Sequence, residues 1–386
     1  MTRTASAFSR EKKSVAAGED LGAQLAASVP HPDAIIVFLS AQHDYPGVLR
    51  QLRARFPKSQ ILGCSSAGEF NTAHQGEGSA SAFAISSPDM LFTAAFATGI
   101  SRDPANAARQ LLSGFRGFKE NRYPYRSALV LNDALAGSAD ELVTILNMET
   151  GGHYKFFGGG AGDDAAFVST HVFYGDQAAT DAAVALEILS TRPIGVGVRH
   201  GWTAATEPMR VTSSKGNIVE SLEAVAAAEI FAHHAQQTGQ PFDLAAPLPF
   251  FLHNIAGMHQ QEGFKLRVPL AIVNDGAVCF AAEIPQGSAI SIMSATPESA
   301  MRAAHSAAQE AMRQLDGHKP GGALLFDCVA TRLRLGSNFG QEVQLVQKTI
   351  GDVELAGCNT YGQVATLENQ FAGFHNCTAV VCVFPE

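Results

Sequence analysis

Charge is scarce in this chain. Of its 386 residues only 16% are Asp, Glu, Lys or Arg, and the formal net charge is −9. A nucleic-acid surface needs clustered Lys and Arg, whereas the longest basic run here is Arg10-Glu11-Lys12-Lys13, so nucleic acid is excluded as a partner. Long apolar runs are also missing. No stretch reaches the roughly 18 residues of a membrane span. Residues 15–29 are broken by Glu19 and Asp20, which makes them a poor secretory segment and a better amphipathic helix. The six cysteines (64, 279, 328, 358, 377 and 382) form no C-x-x-C, so a zinc ribbon, a thioredoxin motif and c-type haem attachment all lack their signature. Thiols scattered through apolar strands suit a reducing compartment, and the expected location is the cytoplasm.

What the chain does have is apolar content, 46% of residues, and a length that exceeds one ordinary core and fits two domains. It also repeats itself. Gly63-Cys64-Ser65-Ser66-Ala67-Gly68-Glu69 recurs as Gly357-Cys358-Asn359-Thr360-Tyr361-Gly362-Gln363. Each copy follows a short apolar run, and about thirty residues upstream of each lies another, AIIVFL at 34–39 and ALLF at 323–326. Such spacing marks an internal duplication. Ser66-x-x-Glu69 and Thr360-x-x-Gln363 fit the capping-box pattern, and the glycines allow tight backbone or close approach. Each copy therefore reads as strand, turn and helix start, able to hold an anion or a carboxylate. The bland alternative is a strand-to-helix joint without a ligand.

The first half alternates strand and helix, with strands at 34–39, 60–64 and 128–131 and helices at 46–56, 104–115 and 138–148. Short strands dominate the middle. A Pro-rich stretch at 241–249 reads as a loop between subdomains. The expected fold class is α/β to α+β, with two related domains, mixed and largely antiparallel sheets, and helices packed outside. The expected division is 1–32 as a helix and frayed segment, 33–235 as an N-terminal domain and 236–386 as a C-terminal domain.

Gly158-Gly159-Gly160-Ala161-Gly162-Asp163-Asp164 is the densest glycine cluster. It lacks a P-loop's Lys-Ser/Thr, so phosphate is not expected, and its acidic end favours an ammonium group or cation. Gly195-Val196-Gly197-Val198 is a strand rather than a dinucleotide loop: Ile194, Val196, Val198 and His200 share one face, with Gly195, Gly197 and Arg199 on the other. The candidate ligand-binding residues are thus Cys64, Ser65, Ser66, Gly158, Gly159, Gly160, Asp163, Cys358, Asn359 and Thr360. A thiol-dependent enzyme using Cys64, Cys328 or Cys358 is the competing class, and a ligand-free interaction scaffold is a third.

The strings ILGCSSAGEF, FFGGGAGDD, RHGW followed by VTSSKGNIVESL, LLFDCVATR, AGCNTYGQVA and GFHNCTAVV resemble, in order, the FIST family, with its N-terminal and C-terminal FIST domains. The resemblance spans roughly residues 33–384. It implies a non-enzymatic bacterial signal-transduction sensor that binds a small ligand and regulates a histidine kinase or a diguanylate cyclase/phosphodiesterase. The two-domain form is similar to nitric-oxide-sensing haem proteins of the NosP type, which would imply haem b as cofactor. Non-covalent haem needs an apolar pocket, which 24 Phe could line, and an axial ligand, for which His375, His200, His259 and His305 are the candidates in that order.

Overall fold

The apolar runs form three parallel strand pairs. In the computed structural model, which describes residues 1–366 and 372–386, Ala34–Ser40 pairs with Gln60–Ser66, Tyr125–Asn132 with Lys155–Gly160, and Pro320–Cys328 with Leu355–Thr360. Parallel strands need a crossover, and helices supply it: Tyr45–Arg55, Ala139–Glu149, and the consecutive Val329–Leu335 and Phe339–Ile350. Each pair is flanked by an antiparallel strand, Ala80–Ser86, Ala182–Ser190 or Ala379–Pro385. Beyond these lie Arg3–Ser9, Met90–Thr98 and Gly195–Arg199. The helices Ser14–Ser28, Pro104–Ser113 and Pro297–Arg313 complete the three units.

The expected duplication is thus visible in the register, and a third copy stands between the two seen in the sequence. Val37 faces Gly63, Val130 faces Gly158, and Leu325 faces Gly357. A Cβ at any of these glycines would run into the carbonyl oxygen of its partner, so glycine is required at all three. Strand alternation then sorts the apolar residues. Ile36, Phe38, Leu62, Leu129, Leu131, Phe157, Leu324 and Phe326 meet in a central core shared by all three units. Ile35, Val37 and Leu39 face outward against helices Ser14–Ser28 and Tyr45–Arg55. Sheets covered on both faces read as unbroken apolar runs.

Each unit passes its return strand to a neighbour. Glu69–Asn71 of the first pairs with Leu355–Thr360 of the third. Gln363–Thr366 of the third pairs with Lys155–Gly160 of the second, and Val172–Tyr174 of the second pairs with Gln60–Ser66 of the first. The turns are therefore followed by strands. The expected helix starts after residues 66 and 360 are not there, because the segments find unpaired sheet edges instead.

The fold is α+β, with mixed sheets and helices outside. Between Arg199 and Pro297 the third unit carries an insertion, 203–294, whose strands build a separate nine-stranded sheet with helix Ala227–Thr238 against it. The border expected at 235/236 falls inside that helix. The first 32 residues contribute a strand as well as the expected helix. Gly195 and Gly197 lie on the strand face that seats helix Pro297–Arg313, where a Cβ would meet the backbone of Ala311 and Ala307. The insertion is tied to the second unit by Arg267, fully buried, whose Nη2 donates to Asp140 Oδ2 at 2.7 Å beside Lys265.

Candidate functional site

The three turns interlock where the parallel pairs end. Ala67 N donates to Asn359 O at 2.9 Å, Gly162 N to Ser65 O at 2.8 Å, and Tyr361 N to Gly160 O at 3.0 Å. The backbone ring accounts for most of the predicted ligand residues. Gly158, Gly159 and Gly160 carry its close approaches. Ser65 Oγ accepts from His171 N at 2.9 Å. Thr360 Oγ1 accepts from Gln363 Nε2 at 2.9 Å.

Asp163 is also occupied internally. Its carboxylate accepts from the backbone of Phe167, Val168 and Ser169 and from the Tyr361 hydroxyl. It anchors the 163–170 loop and offers nothing to a cation. Cys64 and Cys358 are fully buried in the central core. Burial pushes the Cys358 thiol well up, and a hydrogen bond with Cys64 adds to this, the reverse of an activated nucleophile. Cys328 bonds to Cys377, which draws the Cys328 thiol down to about 6 and pushes the Cys377 thiol up; its partner is a second thiol.

Ser66 sits in a constellation that occurs twice. Its Oγ donates to Glu69 Oε1 at 2.6 Å, while Ser79 N and Oγ donate to Glu69 Oε2 at 3.2 and 2.6 Å. In the third unit the matching residues are Thr360, Gln363 and Thr378. Gln363 Nε2 donates to Thr360, and its Oε1 accepts from Thr378 N and Oγ1 at 3.2 and 3.0 Å. The carboxyl has been exchanged for an amide in an otherwise matching frame. Burial pushes the Glu69 carboxyl up to about 7, with the Ser66 and Ser79 hydrogen bonds opposing.

Asn359 differs from the other predicted residues. It is fully buried, and neither its Oδ1 nor its Nδ2 has a hydrogen-bond partner. With Glu69, Gln75, Gly76, Glu77, Arg332, Gly336 and Phe339 it lines a cavity of about 300 Å³ between the first and third units. Arg332 lies across it, donating to Ala67 O and to the exposed carboxylate of Glu77. Sequence reading missed Arg332, Glu77 and Phe339. The signal for Glu69 was present in the Glu/Gln difference between the two repeated phrases.

Beyond the cavity, on the third unit, Asp327 and Glu342 form a buried carboxyl pair. Desolvation pushes both up, and Glu342 raises Asp327 further. Asp327 Oδ2 and Glu342 Oε2 have no hydrogen-bond partner.

Three of the four candidate histidines are held in the fold through one ring nitrogen. His200 Nδ1 accepts from Trp202 N, His259 Nε2 bonds to Ser291 Oγ and His305 Nδ1 to Thr349 Oγ1. His375 has a free Nε2, but it is buried beside Lys265 and Arg267, and burial first and these cations second push its ring down to about 3. None of the four is among the residues that line the cavity beside Asn359 or the apolar cleft against helix Val329–Leu335.

Family models match residues 33–224 as a FIST N domain and 227–366 as a FIST C domain. Together they cover most of the chain, and the protein belongs to the FIST family of small-ligand-sensing signalling domains. No curated protein matches it. Among solved structures, cyanuric acid hydrolase from A. caulinodans aligns over 99% of both chains at 7% identity and a TM-score of 0.32. T. maritima PurL complexed with ATP aligns over 99% of this chain and 71% of its own at 10% identity and a TM-score of 0.22. Likeness at that level carries no argument. Among the described residues no helix is long and apolar enough to cross a membrane.

Proposed function

We propose that this protein is a cytoplasmic sensor whose small ligand enters the cavity between the first and third units. It reports to a histidine kinase or a diguanylate cyclase/phosphodiesterase. The observation that carries the reading is Asn359, an amide with two unanswered hydrogen-bonding atoms in the lining of a cavity. Buried polar groups are normally paired, and an exception beside a cavity points to a missing partner molecule.

A sensor needs two states that the ligand tells apart. The short helix Val329–Leu335 is placed for that role. Arg332 on one side crosses the polar cavity, while Val329, Ala330 and Leu333 on the other line an apolar cleft with Leu248, Leu252, Val268 and Leu270 of the insertion. A ligand that moves Arg332 therefore bears on the contact between insertion and body.

The test is a thermal-shift screen of small polar metabolites against the wild type and Gln75→Trp, which fills the cavity from an exposed position. Compounds that stabilise the wild type and leave Gln75→Trp unmoved support the proposal. Hits that stabilise both equally place the ligand elsewhere. An absorbance titration with hemin gives the parallel check on the cofactor, and a histidine-ligated Soret band would overturn the assignment of these histidines.

A further inference from the structure

The charge and hydrogen-bonding pattern of this cavity narrow its ligand, on the footing of the sensor reading above. We propose that it takes an uncharged group with a hydrogen-bond donor beside an acceptor, such as a carboxamide, urea or lactam, and that Arg332 is the gate this group displaces.

The chemistry starts from Asn359. Its two free atoms are an acceptor and a donor on one planar group. The complementary partner is another planar group carrying a donor and an acceptor side by side. The conclusion does not depend on which way the amide is turned, since both atoms lack partners. A cation such as an ammonium group has no acceptor for Nδ2. A carboxylate has no donor for Oδ1, and it would enter a lining that already holds Glu69 and Glu77 against one cation, Arg332. An uncharged amide avoids both faults. Phe339, Gly336 and Gly76 supply apolar walls, and a volume of about 300 Å³ is at the small end of ligand sites.

The gate follows from Gly68. With φ +132° it takes a conformation open to glycine, and a Cβ there would collide with the Arg332 guanidinium and lie 2.9 Å from Asn359 Oδ1. The missing side chain at 68 is what lets the guanidinium lie over Asn359. Arg332 makes no hydrogen bond to the amide it covers. It is held by Ala67 O and by Glu77, an exposed carboxylate whose pairing is weak in water. Turning Arg332 outward costs little and uncovers both atoms of Asn359, and the same movement shifts the helix that carries it.

The experiment uses the full chain and probes of known structure: hydantoin, 2-pyrrolidinone and acetamide, against sodium acetate, methylammonium chloride and cyclopentanone. Binding is read by ligand-observed NMR titration on the wild type, Asn359→Leu, Asn359→Ser and Arg332→Ala. The three amides are expected to bind and the other probes not to. Both Asn359 variants should weaken binding about tenfold or more, and Arg332→Ala should tighten it about threefold or more. Asn359→Ser serves if the leucine variant fails to fold. Acetate or methylammonium binding that Gln75→Trp abolishes would overturn the amide assignment and leave the sensor cavity standing. Absence of binding by every probe to Arg332→Ala would overturn the inference, and no hit in the metabolite screen would overturn the sensor reading separately.

Discussion

Replacing Glu69 by glutamine should make the protein more stable at neutral and higher pH, although it removes a charge that accepts three hydrogen bonds. The third unit provides the template: Gln363 fills the matching position with its Nε2 on Thr360 and its Oε1 on Thr378. The introduced amide can do the same with Ser66 and Ser79, the serine hydroxyl turning to accept. A carboxyl that ordinarily titrates at 4.5 titrates here at about 7 because it is fully buried. The folded state thus holds its proton more tightly than the unfolded chain does. The stability this provides is complete below the ordinary carboxylate range and is lost as pH rises through 7. At roughly 1.4 kcal/mol per pH unit the whole window amounts to about 3 kcal/mol. Urea unfolding at about pH 5 and about pH 8 should show the gap between Glu69→Gln and the wild type widening by about 2–3 kcal/mol toward the alkaline side. The Asp327–Glu342 pair is common to both proteins and cancels. Parallel pH profiles, or a variant that loses ground at pH 8, would refute the reasoning.

Gly63→Ala or Gly357→Ala should destabilise by about 2–3 kcal/mol or more in thermal or urea unfolding, because the added carbon meets the neighbouring strand's backbone. Asp140→Ala leaves Arg267 buried and short of its counter-ion. It should cost about 3–5 kcal/mol, with limited proteolysis cutting first within 203–294. Thiol titration of the native protein should modify Cys279 rapidly and the other five only on unfolding, since Cys279 alone is partly exposed. A second fast thiol would show that the core around a buried cysteine opens.

Much of the frame was legible in the sequence. The apolar runs at 34–39, 60–64 and 323–326 are strands of the parallel pairs, and the GVGV segment is a strand whose glycines seat a helix. The repeated phrase marked two of the three turns. The middle copy was hidden because Cys64 and Ser65 correspond there to Gly159 and Gly160, and because the 163–170 loop separates the turn from its return strand Val172–Tyr174. The helix starts after the turns were misread because a Ser-x-x-Glu hydrogen bond ties a tight turn as well as a helix cap, and only the distant sheet edge decides between them. The cavity was half legible. Asn359 stood in the repeated phrase, whereas Arg332, Glu77 and Phe339 reach it from other elements and carry no local mark.

The passing of return strands around the ring bears on synthesis. When the first unit leaves the ribosome, Glu69–Asn71 has only the short strand Gln75–Gly76 beside it, and the partner of its other edge, Leu355–Thr360, is made almost three hundred residues later. The ring closes only when the last unit arrives, so native pairing is dominated by distant contacts and should be slow. A fragment ending at residue 224 would keep that strand edge unpaired and a sheet edge open, a template for aggregation. The FIST N and FIST C segments are names for stretches of sequence, and neither is a body that can be expected to fold without the other.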